Sequence, residues 1–175
     1  MKRKLILFLI LFLFFLLQTA VLPFIPALWA VPNLLLIFVV SIAFMQGTTE
    51  GMTTGFLAGL LVDLTYGRIP GFTMVVYMYL GYWNGRYARI YFDEDVKVPL
   101  LLVTVSDFVY SIIYYVAYFL LRGRTNFGGY LVGVILPEIV STLIFTLILY
   151  HLIYRINHSM VEVEKKGKQS LWIRD

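Results

Sequence analysis

Apolar runs dominate the chain, and short polar stretches separate them. The first run, residues 5–22, is rich in Leu, Ile and Phe and follows Lys2, Arg3 and Lys4. At ~18 residues it is longer than the apolar core of a cleaved signal peptide, and no A-x-A-like site follows it, so a retained helix is expected. Residues 23–32 carry three prolines, Pro23, Pro26 and Pro32, together with Trp29, which fits an uncharged interfacial connection. A second apolar segment covers 33–45. The third, 48–65, is weakly hydrophobic and glycine-rich, and a polar turn at 67–71 follows it. Further apolar segments cover 72–91, 98–121 and 127–153. The pattern predicts an all-α integral membrane protein: six transmembrane helices in one domain, residues 1–154, and a tail over 155–175.

Composition sharpens this. Of 175 residues, 61% are hydrophobic, 17% aromatic and only 14% charged, where a soluble domain needs about a quarter charged. Lipid contact must replace the missing polar surface. Six helices of about 20 residues would use ~120 positions, leaving no room for a separate soluble domain. Cysteine is absent, which removes disulfides, thiol nucleophiles and thiolate metal sites.

Charge orients the chain. Lys and Arg accumulate in cytoplasmic loops and tails. With both termini inside, the cytoplasmic side holds Lys2, Arg3, Lys4, Arg86, Arg89, Lys97, Arg155, Lys165, Lys166, Lys168 and Arg174, against Arg68, Arg122 and Arg124 outside. An odd number of spans would put the two terminal basic clusters on opposite sides. The net charge of +4 follows from this topology and from anionic inner-leaflet lipid, with no reason to propose nucleic acid.

Glycines recur at Gly47, Gly51, Gly55 and Gly59, and the next four-residue step lands on Asp63. That spacing makes one ridge of a helix, and small residues let helix backbones approach in lipid, where no hydrophobic effect drives association. The third segment is expected to be a packing hub. A shorter row, Gly129, Gly133, Pro137 and Ser141, predicts a close neighbour for the sixth, inside the chain or in another. Three acids fall within expected spans: Asp63, Asp107 and Glu138. Each costs at least ~2.5 kcal/mol at mid-bilayer unless paired, protonated or hydrated, so none should face lipid. Two readings stand: internal packing against Ser, Thr or Tyr hydroxyls, or an ion, proton or partner-helix site. Asp63 and Glu138 lie ~22 Å from the inner boundary and Asp107 ~14 Å, at about 1.5 Å per residue.

Two intramembrane aspartates also bring intramembrane aspartyl peptidases to mind, where paired carboxylates share a proton. Neither Gly59-Leu60-Leu61-Val62-Asp63 nor Val105-Ser106-Asp107-Phe108 matches their motifs, and the depths differ. Ser106, Ser111 and Ser141 lack a nucleophile-elbow setting, His151 and His158 fit interfacial packing, and no metal cluster is visible. No catalytic residue and no cofactor are expected. Asp93-Glu94-Asp95 before Pro99 reads as helix-capping material. The mixed-charge tail suits contact with lipid headgroups or a cytoplasmic partner.

Pro32-Asn33-Leu34-Leu35-Leu36, then Gly51 to Gly55-Phe56-Leu57-Ala58-Gly59-Leu60-Leu61-Val62-Asp63, then Gly71 and Gly81-Tyr82 resemble the rod shape-determining protein MreD family. The resemblance is densest over residues 32–85, and the later segments match mainly in hydropathy. It implies a non-catalytic component of the bacterial cell-elongation machinery, in the cytoplasmic membrane, pairing with the single-span protein MreC. It further implies links to MreB filaments, to the RodA glycosyltransferase and to a penicillin-binding transpeptidase, with peptidoglycan synthesis and cell shape as context and output. On that footing the glycine ridge and Asp63 set the fold of the third span, and a lipid-facing surface receives the partner's helix. A different class also has six spans in a small chain: the substrate-binding S components of energy-coupling-factor (ECF) vitamin transporters, whose architecture MreD-like chains would share. Those components offer small residues on the first helix for docking, whereas Leu5 to Leu17 is uniformly bulky.

Overall fold

A helix with almost no outward face forms the axis of the molecule. In the computed structural model, which describes residues 2–25, 30–67, 69–90, 97–120 and 126–172, with side chains described to 156, this is α2, Leu34–Gln46. Leu35, Leu36, Ile37, Val39, Val40, Ile42 and Ala43 are all 0% exposed, so neighbours cover every side of it. An all-apolar stretch with no polar stripe has only this solution or lipid around it.

Around it lie α1 (Lys2–Leu16), α3 (Thr48–Tyr66), α4 (Phe72–Gly85), α5 (Lys97–Tyr118) and α7 (Leu136–Trp172). α1 continues through a π-helical turn, Leu17–Val21, into a 3₁₀ turn, Leu22–Phe24. A short α6 (Phe127–Tyr130) leads through a second π turn, Leu131–Ile135, into α7. The described residues contain helices and no strand. α1 packs Leu7, Leu11, Phe14 and Phe15 inward, with Phe14 edge-on to Phe38 of α2 at 5.5 Å. Its outer face shows Leu5, Leu9, Phe12, Leu13 and Leu16. α5 and α7 likewise turn Leu101, Val105, Ile144 and Ile148 outward. Buried polar groups beneath an apolar exterior invert the soluble pattern. Among the described residues, three stretches are long and apolar enough to cross a membrane: Arg3–Phe24, Lys97–Tyr118 and Phe127–Ile156.

Several expected boundaries shift, for physical reasons. The 72–91 segment stops being α-helical at Gly85 and tightens into a 3₁₀ turn, Arg86–Ile90. α7 continues without interruption past residues 154 and 155 to Trp172. α2 is only 13 residues long, about 20 Å at 1.5 Å per residue, shorter than the ~30 Å hydrocarbon layer. Gly47, at φ 95°, turns the chain from α2 directly into α3, and Gly71, at φ 82°, starts α4 from the left-handed region. Arg68, Arg122, Arg124, the acidic run 93–95, Trp29 and the side chain of His158 lie outside the described residues.

Candidate functional site

A glycine seam runs along α3 and α4 and leads to the half of the bundle that holds the α3–α4 turn, where a buried polar hub and a tyrosine-lined cavity lie.

The seam joins α3 to α4. A Cβ added at Gly51 would meet the Gly81 carbonyl and Ala43, one at Gly55 would overlap the Tyr77 carbonyl, and one at Gly59 would overlap Met74 and the Thr73 carbonyl. The facing row on α4 is Tyr77, Gly81 and Gly85, with Gly81 against the Gly51 carbonyl and Gly85 against Thr48. Two four-residue ridges therefore meet backbone to backbone. Asp63 closes the row. Its Oδ1 accepts from the Thr73 N–H at 3.1 Å and its Oδ2 from the Met74 N–H at 2.9 Å, so it caps α4 from the end of α3. Gly47 is not in the seam. A Cβ there would meet nothing within 4 Å, and the residue serves the turn instead.

The hub is centred on Asn33, the N-cap of α2. Its Oδ1 accepts from the Leu36 N–H at 3.2 Å and from the Tyr77 hydroxyl at 2.8 Å. Its Nδ2 donates to Asp107 Oδ1 at 3.2 Å, and its own N–H donates to Thr142 Oγ1 at 3.1 Å. Gln18 Oε1, in the π turn after α1, accepts from the Leu35 N–H at 2.9 Å. The start of a helix leaves N–H groups without intrahelical partners, and this one begins inside an apolar bundle: Pro32 O and Asn33 Oδ1 take the Leu34 and Leu36 N–H groups locally, and Gln18 and Thr142 reach in from other elements for those of Leu35 and Asn33. Nearer the opposite end, Asn84 donates to Ser106 Oγ at 2.8 Å, tying α4 to α5. Arg3 ties the start of α1 to Gln46 at 2.6 Å and to Glu50 at 3.8 Å.

The cavity, about 280 Å³, lies between the ends of α3 and α5 and the start of α7. Tyr110, Tyr114, Tyr118 and Tyr130 line it with Ser111 and Glu138. The first three are one face of α5 at four-residue steps; Tyr114 stacks on Tyr118 at 4.3 Å, and Tyr110 lies edge-on to Tyr77 of the hub at 5.1 Å. Asp107 Oδ2 and Ser111 Oγ, four residues apart on α5, are buried without hydrogen-bond partners.

The acids thus sit in three settings. Asp63 caps a helix, Asp107 is wholly buried in the hub, and Glu138 lines the cavity. None falls in the exposed class. Asp63 and Asp107 hydrogen-bond to different groups, α4 backbone and Asn33 respectively, and form no shared-proton pair. No group of three or more His, Asp or Glu side chains suited to a metal occurs among the described residues. Gly129 and Gly133 do not meet a helix of this chain. A Cβ at Gly129 would reach only its own cap, Asn126, and one at Gly133 would meet nothing within 4 Å, whereas Ser141 is buried. The π turn at Leu131–Ile135 explains this, because its extra residue rotates the start of α6 out of line with α7. Pro137, lacking an N–H, frees the carbonyl four residues back and favours the wider turn.

Polar groups gathered inside, apolar side chains outside and three membrane-length helices define a helical membrane protein. Residues 2–159 match the family of the rod shape-determining protein MreD, and the chain belongs to that family. The match runs well beyond 32–85, into α7, and carries with it a role in rod-shape determination. Neither a curated protein nor a solved structure matches the chain.

Proposed function

We propose that this protein is a non-catalytic membrane scaffold of the bacterial cell-elongation complex, crossing the cytoplasmic membrane six times with both ends inside. Family membership is the observation that carries this reading. In the proposed topology α2, α3 and α4 are short spans held by the seam and hub rather than by lipid, with the α3–α4 turn and the cavity at the outer end. The scaffold binds MreC, and through it supports RodA, its penicillin-binding transpeptidase and MreB. The face that best suits a partner's single helix is the one around Gly129 and Gly133. There the chain offers small residues, with open space above Gly133, flanked by the exposed Val132 and Val134.

The test is a mild-detergent pull-down of the tagged protein from its native membrane, with co-purifying proteins identified by mass spectrometry. Recovery of MreC with the elongation synthases is expected. Recovery of paired ATPases with a transmembrane coupling protein would instead identify a transporter S component. The bulky outward face of α1, Leu5, Leu9, Phe12, Leu13 and Leu16, argues against that second reading, which calls for small residues on the first helix.

A further inference from the structure

The scaffold role uses the seam and an outer face, and leaves the tyrosine-lined cavity without a task. We propose that this cavity is a binding site for a small ammonium group of the ethanolamine type, carried by a phospholipid headgroup or by a free amine.

Glu138 is the first observation. It lines the cavity, sits in the first turn of α7, and has no hydrogen-bond or ion-pair partner among the described residues. The described lining contains no Lys or Arg. A cation stabilises an ionised carboxylate among apolar helices, and the described lining supplies none. The walls are the second. Tyr110, Tyr114, Tyr118 and Tyr130 line the cavity with Glu138, and the faces of such rings attract ammonium groups, most strongly when water is excluded. Ser111 is the third. The residue lines the same cavity, and its buried hydroxyl has no partner, so a ligand oxygen that reaches it beside the ammonium would satisfy it. At about 280 Å³ the space suits a headgroup rather than a whole lipid or a vitamin-sized molecule. In ethanolamine, free or esterified, an oxygen lies two carbons from the nitrogen, which serves Glu138 and Ser111 together. The outward placement of the cavity rests on the topology proposed above; the site itself does not.

The full-length protein is placed in phosphatidylglycerol nanodiscs. Phosphatidylethanolamine is titrated in one arm, and free ethanolamine is added in the other. Retained lipid is counted by native mass spectrometry, and thermal unfolding is followed in both arms. The expected result is selective retention of phosphatidylethanolamine, stabilisation by free ethanolamine, or both; the arms then tell which source the site uses. Glu138→Gln is expected to weaken binding by at least about tenfold, since it removes a charge-assisted contact. Tyr114→Phe, which keeps the ring, should bind as wild type, while Tyr114→Leu should not. Glu50→Gln, a carboxylate removed at the opposite end, serves as the control and should leave binding unchanged. Equal retention of both lipids with no response to the free amine would overturn the proposal, as would undiminished binding in a folded Glu138→Gln protein. Pull-down of MreC by the Glu138→Gln protein separates this outcome from failure of the scaffold reading.

Discussion

Replacing Gly55 by alanine sets two effects of opposite sign against each other. Helix propensity alone favours alanine by about 1 kcal/mol in a helix interior. The structure opposes it. The new Cβ would overlap the carbonyl of Tyr77 and crowd the Met78 nitrogen, and these are backbone atoms of α4 that no rotamer change can move aside. α3 and α4 must separate, and overpacking of this kind costs about 1–3 kcal/mol. Separation also pulls Tyr77 from Asn33, a 2.8 Å bond worth about 1 kcal/mol on its own. The net expectation is a loss of about 2 kcal/mol, or a melting temperature lower by about 4–8 °C for a chain of this size. Thermal unfolding of the detergent-purified protein, read by tyrosine fluorescence and by monodispersity on size exclusion, measures it. A Gly55→Ala protein as stable as wild type, or more so, would show that the seam tolerates a methyl group and that the glycine ridge is not what closes α3 onto α4.

Other expectations follow from the same geometry. Gly133→Leu should melt within about 1 kcal/mol of wild type, because its side chain enters open space, yet recover much less MreC in a pull-down; normal recovery would move the partner's seat elsewhere. Asp63→Ala should lose about 1–2 kcal/mol by uncapping α4, and Asp63→Asn less, since one acceptor oxygen remains; equal melting of all three proteins would refute the cap. Asn33→Ala leaves Asp107, the Tyr77 hydroxyl and the Leu36 N–H without this partner, and should cost about 2–4 kcal/mol. Pairing it with Tyr77→Phe should then add little, and full additivity in a double-mutant cycle would deny that the hub acts as a unit.

Much of the architecture is legible along the chain, and the reason is local. The turn ending at Gly71, the starts of α2, α3 and α4, and the ridge from Gly51 to Gly59 all depend on residues close in sequence, whereas Gly47 shares the period of that ridge and serves a turn instead. The Gly129–Ser141 row does not form one continuous ridge, because a π turn adds a residue between its ends, and a four-residue period cannot show such an insertion. Asn33 stands directly before an apolar run, a usual capping signal, but its partners at Tyr77, Asp107 and Thr142 come from three other helices and no spacing connects them. The tyrosine ladder at 110, 114 and 118 had a visible period; what hid it was Glu138, far along the chain, without which three rings on a helix face read as ordinary packing.

The cap on α2 also carries a clock. Asn33 reaches Asp107 and Thr142 across 74 and 109 residues of chain. At about 5–20 residues per second of synthesis, Thr142 leaves the ribosome about 5–20 s after Asn33. For that interval the axial helix has its apolar body but an incomplete start, and the Asn33 N–H must find a temporary acceptor in water, in a headgroup or in the insertion machinery. The last helix of the chain therefore does more than add a wall: its arrival ends the dependence of the first half on outside help, and truncations before Thr142 should leave a nascent protein that insertion factors continue to hold.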